Sequence, residues 1–124
     1  MLPQSLRKLT VLYVEDEVLI AMDGEETLRA LGLESISVAM SFKDAQAAMS
    51  CDRFDLALLD INLGGGQTSL ALADALHADG TKIIFVSGYT GSDGLKTRLN
   101  APLVGKPFDE EALAAAIQMV LTSR

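Results

Sequence analysis

The chain has 124 residues, 49% of them hydrophobic, and a formal net charge of -7 at pH 7. This length fits one domain, predicted over residues 1–124 with its core at about 9–121. No apolar run approaches the roughly 20 residues of a membrane helix and no signal-peptide pattern is present, so we expect a cytoplasmic protein without membrane insertion. The acidic charge and the scattered Lys and Arg residues disfavour direct nucleic-acid binding. Cys51, the only cysteine, cannot form an internal disulfide and is expected in the core.

The first half of the chain alternates between short apolar runs and helical patterns. Leu9–Val14 is a short run rich in β-branched residues that suits a strand buried on both faces, and Ile36–Met40 and Phe54–Leu59 are predicted as the second and third strands. A helix is predicted between the first two strands, from about Val18 to Leu31, and Gly32 is placed to end it. The residues expected to face the core from this helix are Ile20, Leu28 and Leu31. A second helix is predicted after Ser41, which suits an N-cap, and it directs Ala45, Ala48 and Met49 to one side.

The second half continues the same alternation. A helix from about Ser69 to Ala78 is predicted to offer Leu72, Ala75 and Leu76 to the core. Two further strands are predicted at Lys82–Val86 and Leu103–Gly105, with a short helix of weak propensity within Gly91–Asn100 between them. The last helix begins at Asp109 with acids where the helix dipole favours them, and its inward residues are Leu113, Ile117, Val120 and Leu121. Five strands that alternate with helices predict an α/β fold, a parallel sheet with helices on both faces.

Five polar residues stand where four of these strands end: Glu15, Asp16, Asp60, Ser87 and Lys106. Ligands of parallel α/β sheets bind at this edge. Three carboxylates brought together repel one another unless a cation lies among them. We predict that this cation is Mg²⁺ or Mn²⁺, because carboxylate oxygens, a backbone carbonyl and waters are its usual ligands. His77, the only histidine, is expected on a helix away from this edge, which disfavours a soft-metal site.

Asp60 is the best candidate for a nucleophile. A carboxylate at a strand end, beside a metal ion, can attack phosphorus and form an aspartyl phosphate. The hydroxyl of Ser87, the ammonium of Lys106 and backbone N–H groups after Asp60 would then stabilise the phosphoryl oxygens by positioning and charge. Taken alone, an Asp after a strand is more often a turn residue, and the combination with the other four residues reverses that reading.

In order and approximate spacing, these residues resemble the response-regulator receiver domains of two-component signalling, over Leu9 to Leu121. The parts that carry the resemblance are the acidic pair Glu15-Asp16, the phosphoacceptor Asp60, the hydroxyl residue Ser87 and the lysine motif Lys106-Pro107-Phe108. The runs Asp60–Gly65 and Phe85–Tyr89 are most similar to small stand-alone receivers of alphaproteobacterial type.

The resemblance implies a flavodoxin-like (βα)5 fold with strand order 2-1-3-4-5. It implies a phosphorylation-dependent signalling switch that assists its own phosphorylation and dephosphorylation but is otherwise not an enzyme. The implied partners are a sensor histidine kinase or histidine phosphotransfer protein and a downstream protein target. We place the backbone carbonyl ligand of the metal at Asn62, and the family's usual cis peptide bond before Pro107.

Two positions depart from the family pattern. Glu15 stands where many relatives have Asp, so we expect it to reach the metal through water. Leu103 stands where many receivers have an aromatic residue that turns inward on activation. We therefore predict that Tyr89, two residues after Ser87, takes over as the switch, with the Gly91–Asn100 segment becoming ordered on phosphorylation.

Competing functions of other classes are disfavoured by the order of the residues. Haloacid-dehalogenase-like phosphotransferases also use a strand-end Asp nucleophile, Mg²⁺, a hydroxyl and a lysine. They resemble Asp-x-Asp-x-Thr/Val at the nucleophile, whereas Asn62-Leu63 follows Asp60 here and the acidic pair precedes it. A flavin site is disfavoured because Glu15-Asp16-Glu17 would repel a phosphate. The chain reads as a stand-alone receiver that acts by contact, or as a receiver module excised from a larger regulator or hybrid kinase.

Overall fold

The computed structural model describes residues 2–61, 69–87, 101–106 and 108–122 of the chain. A short 3-10 turn at Gln4–Leu6 precedes the first strand. The strands are β1 (Thr10–Val14), β2 (Ser35–Ala39), β3 (Leu56–Asp60), β4 (Lys82–Ser87) and β5 (Leu103–Gly105). The helices of these ranges are α1 (Val18–Ala30), α2 (Phe42–Cys51), α3 (Leu70–Ala78) and α4 (Glu110–Thr122). Within the same ranges, no helix is long and apolar enough to cross a membrane.

The five strands form one sheet in the order β2-β1-β3-β4-β5, and all four neighbouring pairs are parallel. The predicted fold class and strand order are therefore confirmed. Parallel register places the carboxyl ends of the strands at one edge, where Val14 lies beside Leu59 and Ser87 beside Gly105. Glu15, Asp60 and Lys106 directly follow Val14, Leu59 and Gly105, and Ser87 is itself one of the predicted polar residues.

Each face of the sheet is covered by a layer of helices. Alternate strand residues point to opposite faces, so Tyr13 and Leu58 pack in one core cluster and Leu12 and Leu59 in the other. The first cluster is completed by α1 and α4 through Leu28, Leu113, Ile117 and Val120. The second is completed by α2 and α3 through Ala45, Leu72, Ala73 and Leu76. The helices on both faces explain why the central strands read as continuous apolar runs.

The ends of α1 and α2 follow from their cap residues. The Ser41 hydroxyl accepts a hydrogen bond from the Asp44 backbone N–H at 3.0 Å, as an N-cap does. At the end of α1, Gly32 has φ of 104°, its N–H donates to the Arg29 carbonyl, and the next N–H, that of Leu33, donates to the Leu28 carbonyl. These two bonds form a Schellman motif, whose left-handed position favours glycine. Both predicted caps are confirmed.

Three inward-facing assignments were wrong in detail. The buried side of α1 carries Ala21, Gly24 and Leu28, whereas Ile20 is only partly buried. Ala75 of α3 is exposed, and Ala73 is buried instead. Cys51 is exposed because it is the last residue of α2 and lies off the helix face that Ala45 presents to the sheet. The predicted Gly91–Asn100 helix lies outside the described residues.

Gly24, in the middle of α1, lies directly over two aromatic rings. A Cβ built on Gly24 would overlap the Tyr13 hydroxyl and lie 2.5 Å from the Phe108 Cε2. The Tyr13 ring, fully buried on β1, occupies the space that a side chain at residue 24 would need. Glycine at this position is therefore explained by close packing of a helix on a large strand side chain.

We expect Gly24→Ala to destabilise the protein, although Ala in a helix interior is usually about 1 kcal/mol better than Gly. Overpacking against the two rings costs about 1–3 kcal/mol, which exceeds that gain. Urea unfolding of the variant measures the difference in the free energy of unfolding. In a Tyr13→Leu background, where the overlap with the tyrosine ring is removed and only that with Phe108 remains, the same substitution should be less destabilising. An equal effect of Gly24→Ala in both backgrounds would contradict this account of the glycine.

Candidate functional site

Three carboxylates meet at the carboxyl edge of the sheet. Glu15 and Asp16 follow β1, and Asp60 ends β3, the strand that pairs with β1. One carboxylate oxygen of each residue lies within 4.8 Å of those of the other two. Glu15 and Asp60 are buried, with 0% and 6% of their surface exposed, while Asp16 is half-buried. The structure thus brings together the three acidic residues that the sequence placed at this edge.

Lys106 provides a cation beside this acidic group. Its Nζ lies 2.7 Å from Glu15 Oε1 and 3.4 Å from Asp60 Oδ2. Its backbone N–H donates to the carbonyl of Ser87 at 2.9 Å, which fixes the chain directly after β5. The lysine side chain can reach the acids because β5 runs parallel to the strands that carry them.

The electrostatics keep Lys106 charged. Burial lowers the pKa of Lys106, but the hydrogen bond to Glu15 and the negative charges of Asp60 and Glu15 outweigh it, so that the pKa is raised overall. A lysine held in the cationic form throughout the neutral range is suited to contact an anionic group at this edge.

Both carboxylate oxygens of Glu15 have partners. Oε1 pairs with the Lys106 ammonium, and Oε2 accepts a hydrogen bond from the Glu17 backbone N–H at 3.1 Å. A buried carboxylate requires such partners, because an unpaired charge at this depth is costly. The extra methylene of Glu relative to Asp is thus used to reach toward the lysine.

Ser87 ends β4 and is buried, with 4% of its surface exposed. Its position one residue beyond Val86, the neighbour of Asp60, places it at the same edge as the acids. Leu103, where an aromatic switch residue is usual, is half-buried at the start of β5. Asn62, Tyr89 and Pro107 lie outside the described residues, so the roles assigned to them stay predictions.

The response regulator receiver domain family matches residues 11–118 of the chain. The chain belongs to this family. The match contains all five polar residues that converge at the sheet edge. The predicted family is therefore confirmed, and the receiver can be compared with individual relatives.

The receiver is similar to several proteins from bacteria. It is 35% identical over 114 residues to the phyllosphere-induced regulator PhyR of Methylorubrum extorquens, a match that covers 90% of this chain and 43% of PhyR. The solution structure of SdrG from Sphingomonas melonis is 33% identical with a TM-score of 0.79, and the match covers 93% of this chain and 98% of that one. A crystal structure of PhyR from Bartonella quintana, described as an anti-anti-sigma factor, is 30% identical with a TM-score of 0.75 and is matched over 49% of its length by 93% of this chain.

These relatives agree with the narrower resemblance to receivers of alphaproteobacterial type. The receiver spans less than half of the PhyR proteins that it matches, and nearly the whole SdrG chain.

The residues of the receiver fit a hard divalent cation. All the described side chains of the acidic group offer carboxylate oxygen, which Mg²⁺ and Mn²⁺ prefer. Lys106 and the Glu17 N–H engage both oxygens of Glu15, and the Lys106 ammonium also lies 3.4 Å from Asp60 Oδ2. Asp16 and Asp60 are the two aspartates among the three carboxylates that could hold the cation. A cation bound there would offset the repulsion between the two aspartates.

An aromatic pair beside the site was missed by sequence reasoning. Tyr13 lies two residues before Glu15, and Phe108 two residues after Lys106. Their ring centroids are 5.7 Å apart with an interplanar angle of 51°, a favourable tilted contact. The available signal was a tyrosine within an aliphatic strand together with a glycine, Gly24, within a helix.

Proposed function

We propose that the receiver is a phosphorylation-dependent switch in which Asp60 accepts a phosphoryl group from a histidine kinase or histidine phosphotransfer protein, with Mg²⁺ or Mn²⁺ bound. The observation that carries this proposal is the convergence of Asp60, Asp16 and the Lys106 ammonium at one sheet edge, with Lys106 Nζ 3.4 Å from Asp60 Oδ2. A nucleophilic carboxylate between a cation site and a lysine is suited to phosphoryl transfer.

In the proposed reaction, a carboxylate oxygen of Asp60 forms the new bond to phosphorus while the bond from phosphorus to the donor's leaving group breaks. The bound cation would offset the negative charge of the phosphoryl oxygens. The Lys106 ammonium, already charged and close to Asp60, would move from its contact with Glu15 to a phosphoryl oxygen. The Ser87 hydroxyl would donate to another, so that stabilisation is electrostatic and requires no further covalent step.

The proposed uptake can be tested with acetyl phosphate and intact-protein mass spectrometry. Wild-type protein should gain one phosphoryl group in the presence of Mg²⁺ and none in excess chelator, because the clustered carboxylates need a cation. Absence of any uptake at saturating acetyl phosphate and Mg²⁺ would rule out the proposed function. Uptake that persists in full with chelator would remove the metal from the proposal.

A protein donor must reach Asp60 from the carboxyl edge of the sheet, and among the described residues the exposed large apolar side chains nearest in sequence to that edge lie on α1. Val18, Leu19 and Met22 are 60%, 80% and 62% exposed in the first turns of that helix, directly after the acidic residues. Exposed apolar groups beside a reacting centre favour protein contact. We therefore place the contact surface of the phosphodonor protein on the start of α1.

We expect the double substitution Leu19→Ser and Met22→Ser to slow transfer from a phosphorylated histidine kinase by roughly 10-fold or more, since loss of interface anchors costs about 1–3 kcal/mol. The kinase used would be the one that transfers fastest to the wild-type receiver. The rate with acetyl phosphate should be unchanged, because that donor makes no contact with α1. Met119→Ser is the matched control, since Met119 is a 54% exposed apolar residue on α4. Equal slowing with both donors, or by the control, would contradict the assigned surface.

The output is proposed to be contact with a downstream protein. The Bartonella quintana relative is described as an anti-anti-sigma factor, that is, a protein that acts on another protein. For the present chain, phosphorylation of Asp60 would change the surface that a target recognises, and Tyr89 is proposed to report the state of the site. Amide exchange with and without beryllofluoride tests this part, and an unchanged Tyr89 region would contradict it.

A further inference from the structure

The position of the Lys106 ammonium depends on how firmly its backbone is held. It follows a strand of three residues at the edge of the sheet, and its flexible side chain must span the distance from β5 to the residue after β1. A lysine side chain has high rotamer freedom, so its ammonium is well placed only if the backbone beneath it is fixed. One fixed point is the backbone N–H of Lys106, which donates to the Ser87 carbonyl at 2.9 Å.

The second fixed point is Phe108. This half-buried side chain packs against the core cluster formed by α1, α4 and one face of the sheet. Its ring contacts the Tyr13 ring at a centroid separation of 5.7 Å. The chain on either side of residue 107 is therefore anchored, at Lys106 by β4 and at Phe108 by β1.

Tyr13 is itself rigidly placed. Its side chain is fully buried, and its hydroxyl donates to the Ile20 carbonyl of α1 at 3.4 Å. It stands two residues before Glu15, on the strand that carries the partner of the lysine. The Tyr13–Phe108 contact thus ties the segment of Lys106 to the segment of Glu15, beneath the ion pair that joins the same two segments.

We propose that Tyr13 is a positioning residue for Lys106, acting through Phe108, and that Gly24 is required because it admits the tyrosine ring beneath α1. The functional meaning of this inference rests on the proposed phosphoryl-transfer role of Lys106. Tyr13 does not touch the reacting atoms. It sets where the Lys106 ammonium lies relative to Glu15 and Asp60, and therefore how readily that ammonium meets a phosphoryl oxygen.

The position of the lysine can be measured without phosphorylation. Ammonium protons held by a carboxylate exchange slowly with water, so ¹⁵N-lysine-labelled wild-type protein should show a protected Lys106 resonance, which Lys106→Ala removes and thereby assigns. Tyr13→Phe keeps the ring and should keep the protected resonance. Tyr13→Leu should lose it. Phe108→Leu removes the other ring and should give the same result, which keeps the test available if Tyr13→Leu folds poorly.

A control separates positioning from general loss of stability. Leu76→Ala removes a buried side chain from the core cluster on the opposite face of the sheet. It should lower Tm by about as much as Tyr13→Leu does. The protected Lys106 resonance should survive in this variant. Retention of the resonance in both Tyr13→Leu and Phe108→Leu, or its loss in Leu76→Ala, would overturn the inference.

The rate of uptake from acetyl phosphate gives the functional readout. Tyr13→Leu should slow uptake roughly 10-fold in the wild-type background, as small misplacements of a charged group do. It should cause no further loss in a Lys106→Ala background, because the effect acts through the lysine. A further 10-fold loss there would overturn the inference. If the resonances behave as expected but Lys106→Ala phosphorylates and responds like wild type, the positioning stands and the proposed role of Lys106 fails.

Discussion

Asp60→Asn is expected to abolish phosphoryl uptake from acetyl phosphate and from a phosphorylated histidine kinase alike. The amide has nearly the shape of the carboxylate, so the fold should be kept, but it lacks the negative oxygen that attacks phosphorus. The substitution also removes one of the three carboxylates that could hold the cation. Uptake is measured by intact-protein mass spectrometry and by transfer of labelled phosphate.

The control for this variant is Asp79→Asn. Asp79 is an exposed residue that follows α3, at the opposite end of that helix from the site. It should phosphorylate at the wild-type rate. Labelling of Asp60→Asn at the wild-type level would show that the nucleophile has been assigned to the wrong residue.

Asp16→Ala is expected to weaken Mg²⁺ binding far more than Glu15→Ala. Asp16 is proposed as a direct ligand, and Glu15 is proposed to act through water while its oxygens keep their contacts with Lys106 and the Glu17 N–H. Loss of an outer partner typically costs about 10-fold in metal affinity, and loss of a direct carboxylate ligand should cost at least roughly 10-fold more. Calorimetric titration with Mg²⁺ and with Mn²⁺ measures both affinities.

The matched control is Glu26→Ala, which removes an exposed carboxylate of α1 that lies outside the acidic group. Its Mg²⁺ affinity should stay close to the wild-type value. Equal losses for Asp16→Ala and Glu15→Ala would refute the ranking and would place Glu15 among the direct ligands.

The fold could be predicted because its three central strands, β1, β3 and β4, are buried on both faces. Such strands appear in the sequence as continuous apolar runs, and their limits were predicted to within two residues, as with Leu56–Asp60 against Phe54–Leu59. The polar residues that end these runs could also be predicted, since parallel strands bring their carboxyl ends to one edge. Contact among Glu15, Asp16 and Asp60 follows from strand pairing alone.

The remaining details of the site and the core depend on side-chain packing. The periodicity of apolar residues in the sequence does not specify that packing. The pairing of Glu15 with Lys106 requires the reach of two long side chains across the sheet. The packing of the Tyr13 ring against Gly24 depends on the distance between α1 and β1, which the sequence pattern does not specify. Cys51 was predicted in the core because cysteine is buried in most proteins. It is exposed here because it lies at the end of α2.

The most direct test of the central claim is to locate the phosphoryl group. After reaction with acetyl phosphate and Mg²⁺, borohydride reduction converts an aspartyl phosphate into homoserine, and peptide mass spectrometry identifies the position. The proposed chemistry predicts homoserine at Asp60 alone, in a yield that follows phosphoryl uptake and disappears with chelator. Homoserine at another aspartate, or a phosphoryl group that resists borohydride because it is bound to Ser87 or another hydroxyl, would contradict the proposal.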